Sequence, residues 1–145
     1  MDYRKINKKF VRKPYYSPRI GKTMQHLEGF QYADALYLSM GYCAIRLFYA
    51  SKDMTAVVTK FGKLGYNPLL TGMCASGDIL QAKVDKILGE IEGIKTYINN
   101  ILALYREIFY KHIYQLRVIF SRMLVKDLKV NATNFSFGLK DIPYL

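Results

Sequence analysis

The chain is short of the residues that build covalent or metal-held scaffolds. It has two cysteines, Cys43 and Cys74, with no CxxC spacing, which argues against a disulfide framework and a structural zinc site. Both lie in apolar surroundings and read as small buried hydrophobes. Its two histidines, His26 and His112, have no second ligand at metal spacing, so each reads as a core or edge residue and no metal is expected. Acids are scarce too, 11 against 22 basic side chains. Glu90 and Glu92, being two apart, point in different directions on a helix and make a poor carboxylate pair. A GxSxG elbow is missing. Gly21-Lys22-Thr23 looks like the end of a phosphate loop, but Tyr16 stands where that loop needs its first glycine. No apolar run approaches the roughly 20 residues of a bilayer-crossing helix. The best candidate, residues 33–50, carries Asp34 and Arg46. The charged N-terminus is followed by no apolar stretch of signal-peptide type. These absences lead to the expectation of no catalytic residues, no enzyme activity, no cofactor, no small-molecule substrate and no transmembrane segment.

What is present is positive charge. The formal balance is +11 over 145 residues, an excess that favours a polyanion partner. It is concentrated in residues 1–22, where Arg4, Lys5, Lys8, Lys9, Arg12, Lys13, Arg19 and Lys22 face one acid, Asp2. Tyr3, Phe10, Tyr15 and Tyr16 are interleaved with these charges, and Pro14 and Pro18 break any continuous helix. The segment reads as an extended basic arm that lies along nucleic acid, with Tyr15 and Tyr16 available to pack or stack. A second, nearly acid-free group is formed by Lys111, Arg122, Lys126 and Lys129, which fall within about 60° of one another on an ideal helix.

From Thr23 onward the apolar residues recur three or four apart, predicting a wide-faced helix to about residue 50 and a short one from Met54 to Phe61. A turn-rich loop covers residues 65–77. Asp78 with Gln81 looks like a capping box. Beyond it Leu80, Val84, Ile87, Ile91, Ile94, Ile98, Ile101, Tyr105 and Ile108 alternate spacings of four and three, a heptad seam whose first six members are expected to form an oligomer interface. Residues 78–130 contain no proline and are expected as one long helix, or as an αα-hairpin broken near Asn99-Asn100. The expected organisation is all-α: a basic arm over 1–22, a helical bundle over 23–130 and an irregular apolar tail over 131–145.

A proline-broken basic arm followed by a helical domain resembles the major coat proteins of the filamentous and rod-shaped viruses of thermophilic archaea. The resemblance rests on architecture and composition rather than on a motif. It implies a virion protein that wraps double-stranded DNA without reading its sequence, in a helical filament built with itself or a related subunit. The other readings are a ribosomal or RNA-scaffold subunit in a cytoplasmic ribonucleoprotein, and a helical interaction module without nucleic acid.

Overall fold

The computed structural model describes residues 2–16 and 29–141. Its centre is strand β1 (Tyr32–Ser39), followed after two short strands, β2 (Val57–Thr59) and β3 (Gly62–Leu64), by β4 (Ile94–Tyr97), β5 (Asn100–Tyr105), β6 (Lys129–Val130) and β7 (Ser136–Leu139). The helices are α1 (Arg4–Asn7), α2 (Tyr49–Lys52), α3 (Ser76–Leu88) and α4 (Phe109–Val125). The main sheet runs β4-β5-β1-β6, with β7 also pairing on β1, and its pairings are antiparallel. β2 and β3 form a separate hairpin.

Side chains alternate across a strand, and that alternation sorts the sheet into two faces. Leu36 and Leu38 of β1 and Ile101, Ala103 and Tyr105 of β5 share a core with Leu80, Val84, Ile87 and Leu88 of α3 and Ile119 and Met123 of α4. The helices therefore cover one face of the sheet. Ala33, Ala35, Tyr37 and Ser39 of β1, with Asn100 and Leu102 of β5, belong to the other face.

The all-α expectation is overturned: the fold is mixed, an antiparallel sheet under two long helices. The error has a physical cause. α3 does carry a helical stripe, and α4 is a continuous helix of 17 residues. Between them the chain turns at Gly89 and at Gly93, whose φ is +79°. A Cβ on Gly93 would run into the Leu104 carbonyl, so glycine is required there. Ile94, Ile98 and Ile101 keep the three-and-four rhythm by coincidence. They belong to two strands and the two-residue turn joining them, so the spacing of 7 between Ile94 and Ile101 mimics a heptad. Neither the continuous helix nor its alternative, an αα-hairpin broken near Asn99-Asn100, is formed: the chain there makes a β-hairpin.

Residues 23–50 were expected as helix. Within the described part, Tyr-Ala-Asp-Ala-Leu-Tyr-Leu-Ser instead forms β1. The helix expected over Met54–Phe61 is replaced by a 3-10 turn (Asp53–Thr55) and the β2–β3 hairpin. The tail is partly ordered, since β7 pairs with β1 and Phe135 packs against the core.

The proposed oligomer seam lies largely inside this chain. Leu80, Val84 and Ile87 are buried, and Ile91, Ile94 and Ile98 pack against the same core. Among the described residues no helix is long and apolar enough to cross a membrane.

Candidate functional site: a braced hairpin turn

Backbone strain in a folded protein marks a place the surroundings over-determine. Three described non-glycine residues have positive φ: Met40, Ile98 and Asp127. Asp127 follows the C-terminus of α4, an ordinary place for a left-handed residue. Met40, just after β1, and Ile98 lie at the same end of the sheet. Ile98 and Asn99 form the two-residue turn between β4 and β5, and Ile98 sits at φ 51°. Hairpin turns that need positive φ at this position favour glycine, and for a β-branched residue it is a true outlier.

The bracing comes from α3. Gln81, 1% exposed, accepts a hydrogen bond from the Ile98 N–H through Oε1 at 2.6 Å. Its Nε2 donates to Thr96 Oγ1 at 2.9 Å and to Asp85 Oδ1 at 2.9 Å. Thr96 donates in turn to Asp85. From β1, the Leu38 N–H donates to the Asn99 carbonyl at 2.8 Å. Every partner of Gln81 is thus on the turn, its strand or its own helix. The expected capping box is not formed: α3 has no side-chain cap, Gln81 points inward and Asp78 is paired elsewhere.

Around the turn lie Tyr37, paired in register with Asn100, and Tyr97, which pairs with Asn100 across the hairpin. The Oδ1 of Asn99 is buried without a hydrogen-bond partner. A Cβ on Gly41 would come within 3.2 Å of that oxygen, so the first residue of the 3-10 turn Gly41–Ala44 is tightly set against it. The site therefore presents amides and phenols on a braced, strained turn, with one orphaned oxygen buried beside it.

The basic residues expected to touch nucleic acid are scattered by comparison. Residues 2–16 do not hang free. Tyr3 is buried, Asn7 donates to the Gly72 carbonyl and accepts from the Cys74 N–H, and Arg12 forms a two-fold pair with Asp78 at 2.6 and 2.9 Å. That pairing holds the Asp78 carboxyl below the usual carboxylate range, the Arg12 hydrogen bonds being the largest cause. Arg4 pairs with Asp2. Lys5, Lys8, Lys9, Lys13 and Tyr16 are exposed, and Tyr15 lies beside Asp85. Arg19 and Lys22 lie outside the described residues, as do His26 and the Gly21-Lys22-Thr23 run.

Of the second group, Lys111 pairs with Glu107, while Arg122 donates to the Ile87 carbonyl and lies 3.9 Å from Glu90. Lys126 and Lys129 are exposed. Arg122 and Lys126 join Lys83 and Lys86 around a cavity of about 580 Å³ between α3 and α4. Sequence reasoning missed Gln81 as a clamp and the turn itself. The signal was present as the Asn-Asn pair flanked by β-branched residues, and the unbroken apolar rhythm obscured it.

The fold is one already seen in solved enzymes. A foamy viral protease–reverse transcriptase (dRH form) in complex with double-stranded DNA matches with a TM-score of 0.91 at 22% identity, over 99% of this chain and 25% of that one. The same kind of enzyme in complex with an RNA/DNA hybrid matches with a TM-score of 0.85 at 23% identity, over 94% of this chain and 18% of that one. The chain shares its fold with these enzymes.

In sequence it is 25% identical over 148 residues to a retrovirus-related Pol polyprotein from transposon 412 of Drosophila melanogaster, covering the whole chain and 12% of the polyprotein. It is 24% identical over 147 residues to the enzymatic polyprotein of soybean chlorotic mottle virus, covering 21% of it. The chain thus spans about an eighth to a fifth of these curated relatives. No protein-family model matches it.

These likenesses correct the earlier expectations. The archaeal coat resemblance does not hold, because neighbours and relatives are a Pol polyprotein, an enzymatic polyprotein and a protease–reverse transcriptase. The capsid, filament and helical-bundle readings fall with it. So does the expectation of a protein without enzymatic character, since those proteins are enzymes by name.

Proposed function

We propose that this chain is a nucleic-acid-engaging segment of a Pol-type polyprotein, built on a reverse-transcriptase scaffold and receiving a duplex or hybrid rather than coating DNA. The observation that carries the reading is the match along nearly the whole chain to a protease–reverse transcriptase in complex with double-stranded DNA. The net charge of +11 supports it, because cations set against phosphates supply most sequence-independent affinity. The contacts proposed are Lys5, Lys8, Lys9, Lys13 and Tyr16, exposed along the N-terminal segment, with Lys126 and Lys129 after α4. Arg4, Arg12, Lys111 and Arg122 already have protein partners and contribute less.

Fluorescence anisotropy with a labelled RNA/DNA hybrid, duplex DNA and single strands, across a salt series in EDTA, tests the reading. Hybrid and duplex are expected to bind more tightly than single strands, with affinity falling by about 0.9 log units per neutralised phosphate for each tenfold rise in salt. Absence of binding to any of them at about 50 mM salt overturns it.

A further inference from the structure

A polymerase of the two-metal kind clamps the attacking and leaving oxygens with paired divalent ions. Magnesium and manganese are held there by carboxylates and substrate phosphates. The residues of the braced turn do not fit that chemistry. Tyr37, Tyr97 and Asn100 occupy one register row, with Asn99 beside them in the turn, and they supply neutral amides and phenols. Neutral oxygens alone lack the charge that sets affinity for a hard divalent ion.

The neighbouring carboxylates are committed elsewhere. Asp34 lies three residues before Tyr37 on β1 and so on the opposite face. One of its oxygens meets His112 Nε2 at 2.8 Å and the other accepts from the Gly138 N–H at 2.8 Å. Asp85 is tied into the clamp by Thr96 and Gln81. Among the described residues no three His, Cys, Asp or Glu side chains are grouped so as to hold a metal ion.

We infer that the turn carries no divalent-metal pair of its own: it meets nucleic acid as a rigid amide-and-phenol surface, and phosphoryl transfer on a duplex seated there requires carboxylates from outside it. The inference rests on the reverse-transcriptase reading above, and its test separates the two.

The full chain is titrated with Mn²⁺, bound ion being read by electron paramagnetic resonance, and duplex binding is measured in parallel in EDTA. The native chain is expected to show no saturable Mn²⁺ site. A Tyr37→Asp/Asn99→Asp/Asn100→Asp variant is expected to gain a saturable Mn²⁺ site, since added ligand charge raises affinity. Asn99 is tightly packed, so Tyr37→Asp/Asn100→Asp is used if the triple variant fails to fold by circular dichroism.

The inference is overturned if the native chain binds one or two Mn²⁺ and loses them on Asn99→Ala/Asn100→Ala. A folded carboxylate variant that gains no Mn²⁺ binding overturns the assignment of the missing site to missing ligand charge. Loss of duplex binding in EDTA overturns the reverse-transcriptase reading instead, whatever the Mn²⁺ titration shows.

Discussion

The two ends of β1 are buried in different ways. At its start, Asp34 is fully buried against a fully buried His112. The imidazole is sandwiched between Tyr32 and Phe137, with centroids 5.4 and 5.0 Å away. Burial pushes the nearby Tyr105 phenol well up, and the Asp34 charge adds to the shift. At the far end, β1 runs into a strained turn held by the neutral Gln81, with an orphaned Asn99 oxygen beside it. The first end ties α4 and β7 to the central strand through a polar pair in an aromatic box. The second spends conformational energy, of order 1–3 kcal/mol for such a residue, on fixing the position of a turn. One end is arranged for cohesion and the other for placement.

Breaking the cohesive end has the largest expected effect. Asp34→Ala leaves His112 Nε2 and the Gly138 N–H without their acceptor inside the core. Removing one partner of a buried pair costs about 3–5 kcal/mol, and urea denaturation should show a loss of that size. A loss below about 1 kcal/mol, the range of an exposed pair, would mean that the pair is not the tie between α4 and the sheet. The cost arises from the group left unpaired and is not a measure of what the pair adds.

At the other end the expected changes are smaller and of mixed sign. Gln81→Leu leaves the Ile98 N–H without its acceptor and Thr96 Oγ1 without its donor, though Thr96 keeps its bond to Asp85. The expected cost is about 1–3 kcal/mol. Ile98→Gly removes packing but also relieves the positive φ, whereas Ile94→Gly removes packing from an unstrained strand and relieves nothing. Ile98→Gly is therefore expected to cost at least about 1 kcal/mol less than Ile94→Gly, read from paired thermal or urea melts. Equal losses would show that the turn stores no strain.

This contrast also explains what the sequence shows and what it hides. α4 was legible because its apolar stripe is long and is backed by a buried face through Leu116, Ile119 and Met123. The core role of His112 was legible from its apolar setting. The sheet was not, because β1 mixes Tyr, Ala and Leu in a run that satisfies three-residue spacing as well as alternation. β4 and β5 were absorbed into an apparent heptad.

The turn was named only as a break, since nothing local signals that a helical glutamine 17 residues earlier will hold it. Its lack of carboxylates acquires meaning only with the fold. Likewise the basic N-terminal segment was recognised by charge alone, whereas whether a cation is free depends on partners such as Asp78, 66 residues away from Arg12.

That partner gives the smallest expected effect and a pH dependence. Asp78 is nearly buried while the Arg12 side chain is mostly exposed. Arg12 holds the folded-state carboxyl below its ordinary value, first through its hydrogen bonds, against the opposing effect of burial. A carboxyl lowered in the folded state adds stability above its unfolded value, about 3.9, and loses it as pH falls through the lower folded value. Arg12→Met is therefore expected to reduce stability near neutral pH, with the difference from the native chain narrowing as pH drops below about 4. Paired urea titrations from neutral to acid pH check this. A difference that stays constant through the acid range would assign the effect of Arg12 to packing of its stem along α3 rather than to charge, and the docking of the N-terminal segment would then not depend on Asp78.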